Sequence, residues 1–183
     1  MGYHAPMARF AEYEPGRRAG PPPPDLRIRD AEERDLDTIA AIRATRGDVP
    51  AEKARKGLQK LLLRVEAGEM VLLVAETAGA VAAYGCAARF EPPPGAPHDC
   101  APAGWYLAGV VVAPALRRRG IAAALTGARL SRLPRPVYYF ANELNSASID
   151  LHRPVGFVEL TRAFWHPDAT FTGGKGILFV LSA

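Results

Sequence analysis

The chain has 183 residues, 49% of them hydrophobic and 23% charged, which are the proportions of one globular domain with a full core. Its formal net charge of +4 admits an anionic partner, a phosphorylated cofactor as readily as a nucleic acid, and demands neither. No uninterrupted apolar run reaches membrane-spanning length, and the first ten residues lack a signal-peptide core. Two cysteines, Cys86 and Cys100, form neither a disulfide framework nor a metal-ligand spacing, so a cytoplasmic protein without a bound metal is expected.

In chain order, residues 1–24 end in four consecutive prolines that favour extended polyproline and cannot build a core, so they read as a flexible tail. The folded domain is expected over residues 25–183. LRIRD alternates like a short strand, and Asp30 with Glu33 resembles a capping box opening a helix that carries Leu36, Ile39 and Ala40 on one face. A loop at residues 46–49 leads to a second helix, with Pro50 in its first turn, Ala54, Leu58, Leu61, Leu62 and Val65 at helical spacing, and Gly68 as its C-terminal cap. MVLLVAE and AVAAYGCAARF read as two strands of a hairpin turned at residues 77–79.

The segment EPPPGAPHDCAPAG is a Pro/Gly-rich loop. WYLAGVVVAP follows as a continuous apolar strand, expected to be central and buried on both faces, and Pro114 ends it. After LRRRG, Ile121, Ala124, Leu125 and Ala128 fall on one face of a helix bounded by Pro134 and Pro136. VYYFA is a further strand, Asn145 can cap a short helix NSASIDLHR, and FVELTRAFW and GILFVL supply the last two strands. The order β-α-α-β-β-β-α-β-α-β-β describes one α/β domain.

The chemistry concentrates at LRRRGIAAAL. A helix start exposes backbone N–H groups without intrahelical partners, and with the helix dipole these favour a phosphate. Gly120 lacks a Cβ that would hold a phosphate off, and Ala122 to Ala124 are small enough for close approach. Two other readings of Arg117, Arg118 and Arg119 stand beside this one. They could be a solvated helix start, or, with Arg129, Arg132 and Arg135, a nucleic-acid patch. A glycine turn accompanies them and no nucleic-acid-reading motif does, so neither nucleic acid nor a membrane is expected as partner.

VVVAPALRRRGIAAAL and NSASIDLHRPVGF together resemble the GNAT superfamily of acetyl-CoA-dependent N-acetyltransferases. Arg117, Gly120 and Ala122 match the Arg/Gln-x-x-Gly-x-Gly/Ala pattern, Asn145 matches the asparagine near the pantetheine arm, and Gly156 with Phe157 matches the Gly-Phe after the next helix. The resemblance implies a mixed, largely antiparallel twisted sheet whose fourth and fifth strands splay apart, flanked by about four helices. It implies acetyl-CoA as co-substrate, with Val110, Val111, Val112, Arg117, Arg118, Arg119, Gly120, Ile121, Ala122, Ala123, Asn145 and Ser148 around it. An amine of a small molecule or peptide would attack the thioester directly in a ternary complex.

His152 stands where many members carry a tyrosine that protonates the leaving thiolate, and it is the general-acid candidate. The glutamate that many members carry on the fourth strand is absent here. The base is open among Glu143, His98, Asp99, His152 and water. The acceptor pocket is expected from residues 46–49, the second helix and residues 91–104. A homodimer is common in the family. The missing strand carboxylate motivates the competing reading, a catalytically idle domain that binds and senses an acyl-CoA.

Overall fold

The computed structural model describes residues 20–47, 49–171 and 174–182. Among the described residues, seven strands form one sheet, ordered first, second, third, fourth, fifth, seventh and sixth by their place in the chain, and four α-helices accompany them. The first strand β1 is Arg27–Asp30. After it, α1 (Leu36–Ala44) opens through a short 3-10 turn capped by Glu32 and Asp35, two residues beyond the expected pair. Asp30 is unavailable as a cap because it remains in the ladder opposite Leu73, with its carboxylate paired to Arg132.

Helix α2 (Ala51–Glu66) starts after Pro50 and ends before Gly68, whose φ of +72° suits the residue that turns the chain out of a helix. It packs with α1 against β2 (Met70–Thr77) and β3 (Ala80–Phe90), where Leu36, Ile39, Leu58, Leu72 and Val74 are buried. Ala78 and Gly79 make the hairpin turn with φ of +51° and +73°, the two left-handed residues that a tight hairpin demands. The Asp25 carboxylate closes this turn, accepting from Ala78 N–H at 2.6 Å and Thr77 Oγ at 2.8 Å. The chain before Asp25 is anchored too. Gly20 N–H donates to Arg118 O at 2.9 Å and Pro23 is buried, so residues 20–24 form a strap between the hairpin turn and the loop before α3. Residues 1–19 of the expected tail lie outside the described residues.

β4 (Gly104–Val112) pairs antiparallel with β3, and β5 (Val137–Asn142) runs parallel to β4. That parallel pairing is confined to Trp105 opposite Val137 and Tyr106 opposite Tyr138. Beyond Tyr106 the two strands separate. This is why the expectation of a β4 buried on both faces fails at its middle: Ala108 and Gly109 are exposed, because the neighbouring strand has left. α3 (Ile121–Leu130) covers one face of β2, β3 and β4, burying Ile121 and Leu125. α4 is Ser146–His152. β6 is only Val158–Thr161, and β7 (Gly176–Leu181) lies between it and β5. The stretch after Thr161, expected as strand, returns along the long loop instead, where Trp165 N–H donates to Asp99 O and Ala101 N–H to Trp165 O, both at 2.8 Å.

Candidate active site

The divergence of β4 from β5 opens a continuous cleft of 1870 Å³. One end of it is built from three elements. β4 contributes Val110 and Val112 by simple ladder alternation. Ala113 N–H donates to Ala82 O, so Val111, two residues back, turns its N–H and C=O toward β3. Val110 and Val112 therefore turn theirs toward the gap. Arg117 Nε donating to Val112 O at 3.3 Å, and Gly109 O lying 3.8 Å from Cys86 Sγ on the β3 side, agree with that parity.

α3 contributes its first turn. The first intrahelical bond is Ala124 N–H to Gly120 O, so the N–H groups of Ile121, Ala122 and Ala123 have no carbonyl within the helix. Arg117, Arg118, Gly120, Ile121, Ala122 and Ala123 all line the cleft. Small residues and open N–H groups, with Arg117 and Arg118 beside them in the lining, make a cradle that fits a pyrophosphate. Gly120, however, serves the chain rather than the ligand. Its φ is +65°, and a Cβ there would lie 3.0 Å from Gly20 O and 3.1 Å from Pro22, against the strap and not in the cleft. Arg119 is not part of the lining. It lies near Asp25, whose carboxyl is held below its ordinary range first by the Ala78 N–H and, in smaller part, by Arg119.

α4 supplies Asn145, Ser148 and His152, all on the cleft wall. Asn145 Oδ1 accepts from Ser148 N–H at 3.2 Å, the expected helix cap. His152 is 5% exposed, stacked on Tyr139 at 4.2 Å, with Nδ1 2.8 Å from Ser148 O. A carbonyl only accepts, so Nδ1 carries the proton and Nε2 presents a lone pair in the neutral ring. Nε2 is buried without a hydrogen-bond partner among the described residues. Burial pushes the ring's pKa down to about 4, so it is neutral at pH 7.

Of the base candidates, Glu143 is not brought to the cleft. Its carboxylate accepts from Lys175 N–H at 2.9 Å and from Arg162 at 3.2 Å. His98 and Asp99 are outside the lining as well. What the sequence did not single out is most of the far end of the cleft: Phe90, Phe140, His166 and Asp168, which join Tyr106 there. His166 lies 4.2 Å from Phe90 and 5.0 Å from Phe140 between ring centroids, and its Nδ1 accepts from Asp168 N–H at 3.1 Å. Reading residues 162–165 as strand hid this wall. Residues 46, 47, 91 and 93 of the two expected acceptor loops do reach the cleft, whereas α2 contributes only Arg64.

Residues 34–157 match the model of the Acetyltransferase (GNAT) family. The chain belongs to the GNAT family. The GNAT family uses acetyl-CoA, and this member is accordingly an acetyl-CoA-dependent acyltransferase. Solved structures share the fold. A ribosomal-protein-alanine N-acetyltransferase from Brucella melitensis is 24% identical with a TM-score of 0.66, the match covering 86% of this chain and 99% of that one. A phosphinothricin acetyltransferase from Sinorhizobium meliloti, in complex with acetyl-CoA, is 18% identical with a TM-score of 0.64, over 86% and 88% of the two chains. An N-acetyltransferase from Staphylococcus aureus is 19% identical with a TM-score of 0.61, over 86% and 98%. No curated protein sequence matches this GNAT chain.

Of the arginines read alternatively as a nucleic-acid patch, Arg129 is 0% exposed and Arg132 is paired to Asp30, so these two do not extend a basic surface from Arg117 to Arg119. No helix among the described residues is long and apolar enough to cross a membrane.

Proposed function

We propose that the protein is an N-acetyltransferase that moves the acetyl group of acetyl-CoA to a primary amine of a small molecule or peptide, by direct attack within a ternary complex. The observation that carries this reading is the continuity of one cleft from the open first turn of α3, past the Val110 N–H, to the aromatic wall at Phe90, Tyr106, Phe140 and His166. Donor and acceptor fit in it together. The pyrophosphate would lie on residues 120–123, flanked by Arg117 and Arg118. The pantetheine would run along β4 beside Asn145 and Ser148. The Val110 N–H would draw charge onto the thioester oxygen as it develops.

In the reaction the neutral amine nitrogen bonds to the thioester carbonyl carbon, the C–S bond breaks with its electron pair on sulfur, and the proton shed by the nitrogen passes through water to the departing thiolate, leaving amide and free thiol. Neither cysteine lines the cleft, and burial pushes the Cys86 thiol up, which supports direct attack over an acetyl-cysteine intermediate. His152 enters in its neutral form. With Nδ1–H given to Ser148 O, Nε2 accepts a hydrogen bond from the coenzyme side, and it holds no proton to donate at pH 7. Asp168, exposed at the aromatic end, supplies negative charge that favours a cationic amine.

A panel of amines and peptides incubated with acetyl-CoA tests this, with mass detection of an adduct of about 42 Da and parallel titration of free thiol. At least one amine should gain the adduct at the rate that thiol appears. Tight acetyl-CoA binding with no acceleration of thiol release by any amine would instead support an acyl-CoA sensor, the reading that the carboxylate-free β4 favours.

A further inference from the structure

Arg129, on the third turn of α3, is completely buried, yet among the described residues no carboxylate lies within ion-pair distance of it. Its partners are all neutral. Nη1 donates to Cys86 O at 2.7 Å and to Ala108 O at 2.8 Å, Nη2 donates to Thr126 Oγ at 3.0 Å, and Nε donates to Leu125 O at 3.3 Å. Cys86 and Ala108 face each other where the β3–β4 register shifts, between Gly85 opposite Val110 and Ala87 opposite Leu107. β4 carries one extra residue there, a bulge whose carbonyls the regular ladder does not fully engage. The guanidinium fills it. Gly85 makes the room, since a Cβ at that position would stand 3.1 Å from Nε and 3.2 Å from Cζ.

This bulge decides which face of β4 addresses the coenzyme. Below it the residue sums of paired positions are one lower than above it, so the extra residue sets the parity that turns the Val110 N–H into the gap. A slip of one residue would present Val111 instead and return Val110 to β3. A buried cation without a counter-ion is a costly way to fill a bulge; apolar packing would fill space more cheaply. The charge has a location that suits it. Ala108, whose carbonyl it holds, lines the cleft immediately before the Val110 N–H.

Resting on the acetyl-transfer reading above, we infer that Arg129 is a positioning residue for the thioester: it locks the β4 bulge from behind and lends positive potential to the carbonyl oxygen that gains charge during attack. The guanidinium touches no substrate. It acts through the Ala108 carbonyl and the peptide units that follow. The same cation contributes, behind burial, to keeping His152 neutral, which places both groups in one electrostatic environment.

The test uses the full chain with acetyl-CoA carrying a ¹³C carbonyl and no acceptor. Difference infrared spectroscopy compares the bound carbonyl in the wild type, Arg129→Lys, Arg129→Met and Thr126→Val, each with its melting temperature. In the wild type the carbonyl band should move to lower frequency on binding. Arg129→Met should lose most of that movement. Arg129→Lys, which keeps the charge but not the two-carbonyl bridge, should keep part of it. Thr126→Val, nearly isosteric but leaving Nη2 without its acceptor, should stay folded with a somewhat lower melting temperature and show a smaller movement. With an acceptor in hand, Arg129→Lys should lower kcat by about tenfold or more while KM for acetyl-CoA changes far less. A folded Arg129→Met protein with the wild-type band overturns the inference. Should that variant fail to fold, a wild-type band in Thr126→Val overturns it. A wild type that does not bind acetyl-CoA overturns the acetyl-transfer reading itself.

Discussion

At the scale of single residues, His152 shows why a motif position and a protonation state are different facts. The spacing to Asn145 and Phe157 is enough to put the side chain on the cleft wall. It says nothing about the Ser148 carbonyl that takes the Nδ1 proton, because that contact depends on the ring's rotamer in α4. The depressed pKa has a consequence for stability. The ring titrates at about 4 in the folded chain against an ordinary 6.5, so as the pH falls the unfolded chain takes the proton first. Stability is complete above about pH 6.5 and is lost as the pH falls toward 4, by about 3 kcal/mol in total. His166, also lowered by burial, adds to the loss with the same sign. Urea titrations of wild type and His152→Gln between pH 7 and about 4 should therefore give a shallower pH dependence for the variant, and parallel curves would refute the burial argument. Gly120 is the second residue whose role moved. Its left-handed φ and the strap at 3.0 Å make Gly120→Ala a stability variant, costing about 1–2 kcal/mol. An unchanged urea midpoint would show that the strap yields freely.

At the scale of elements, the helices and most strands were legible because their cause is local. Apolar spacing, Pro50, Gly68 and Asn145 mark the bounds of α2 and α4, and two left-handed residues suffice for the β2–β3 hairpin. What was illegible has a non-local cause. β4 looked doubly buried because Val, Leu and Ala do not reveal that β5 departs after Tyr106. Residues 162–165 looked like strand because nothing in them announces a long-range pairing with residues 99–101. Likewise Arg129 reads as one more surface arginine until the β3–β4 bulge stands beneath it. α3 carries a prediction in which two effects separate in sign. Ala123 is exposed in the first turn of that helix and lines the cleft. Ala123→Glu places a carboxylate at the positive end of the helix dipole, which leaves the fold as stable or slightly more so. The same carboxylate faces a bound pyrophosphate and should weaken acetyl-CoA binding by about tenfold or more, about 1.4 kcal/mol. Calorimetric titration and thermal melting of one variant read both signs. A loss of stability with unchanged affinity would remove the pyrophosphate from this helix start.

At the scale of the whole molecule, the sheet has two halves held by a short seam. β1 to β4 carry α1, α2 and α3, and β5, β7 and β6 carry the aromatic stack of Tyr139 between His152 and Phe179. Between them the strand-to-strand register is Trp105 with Val137 and Tyr106 with Tyr138, reinforced by the stacked rings of Tyr106 and Tyr138 at 5.1 Å. A ligand seated in the gap, touching β4 and α3 on one side and α4 on the other, takes the place of the missing ladder. Binding confined to the folded state raises stability by RT ln(1 + [L]/Kd), about 2.7 kcal/mol at a hundredfold excess over Kd. Acetyl-CoA should therefore raise the melting temperature in proportion to the logarithm of its concentration. Hydrogen exchange should locate the gain at the amides of residues 110, 112 and 121–123 and in α4, which the apoprotein leaves without strand or helix partners or at the edge of the gap. The amides of β2 and β3, already paired on both sides, should change only by the global increment. Protection spread evenly over both halves would mean that the coenzyme stabilises the fold without bridging its seam, and the gap between β4 and β5 would then need another occupant.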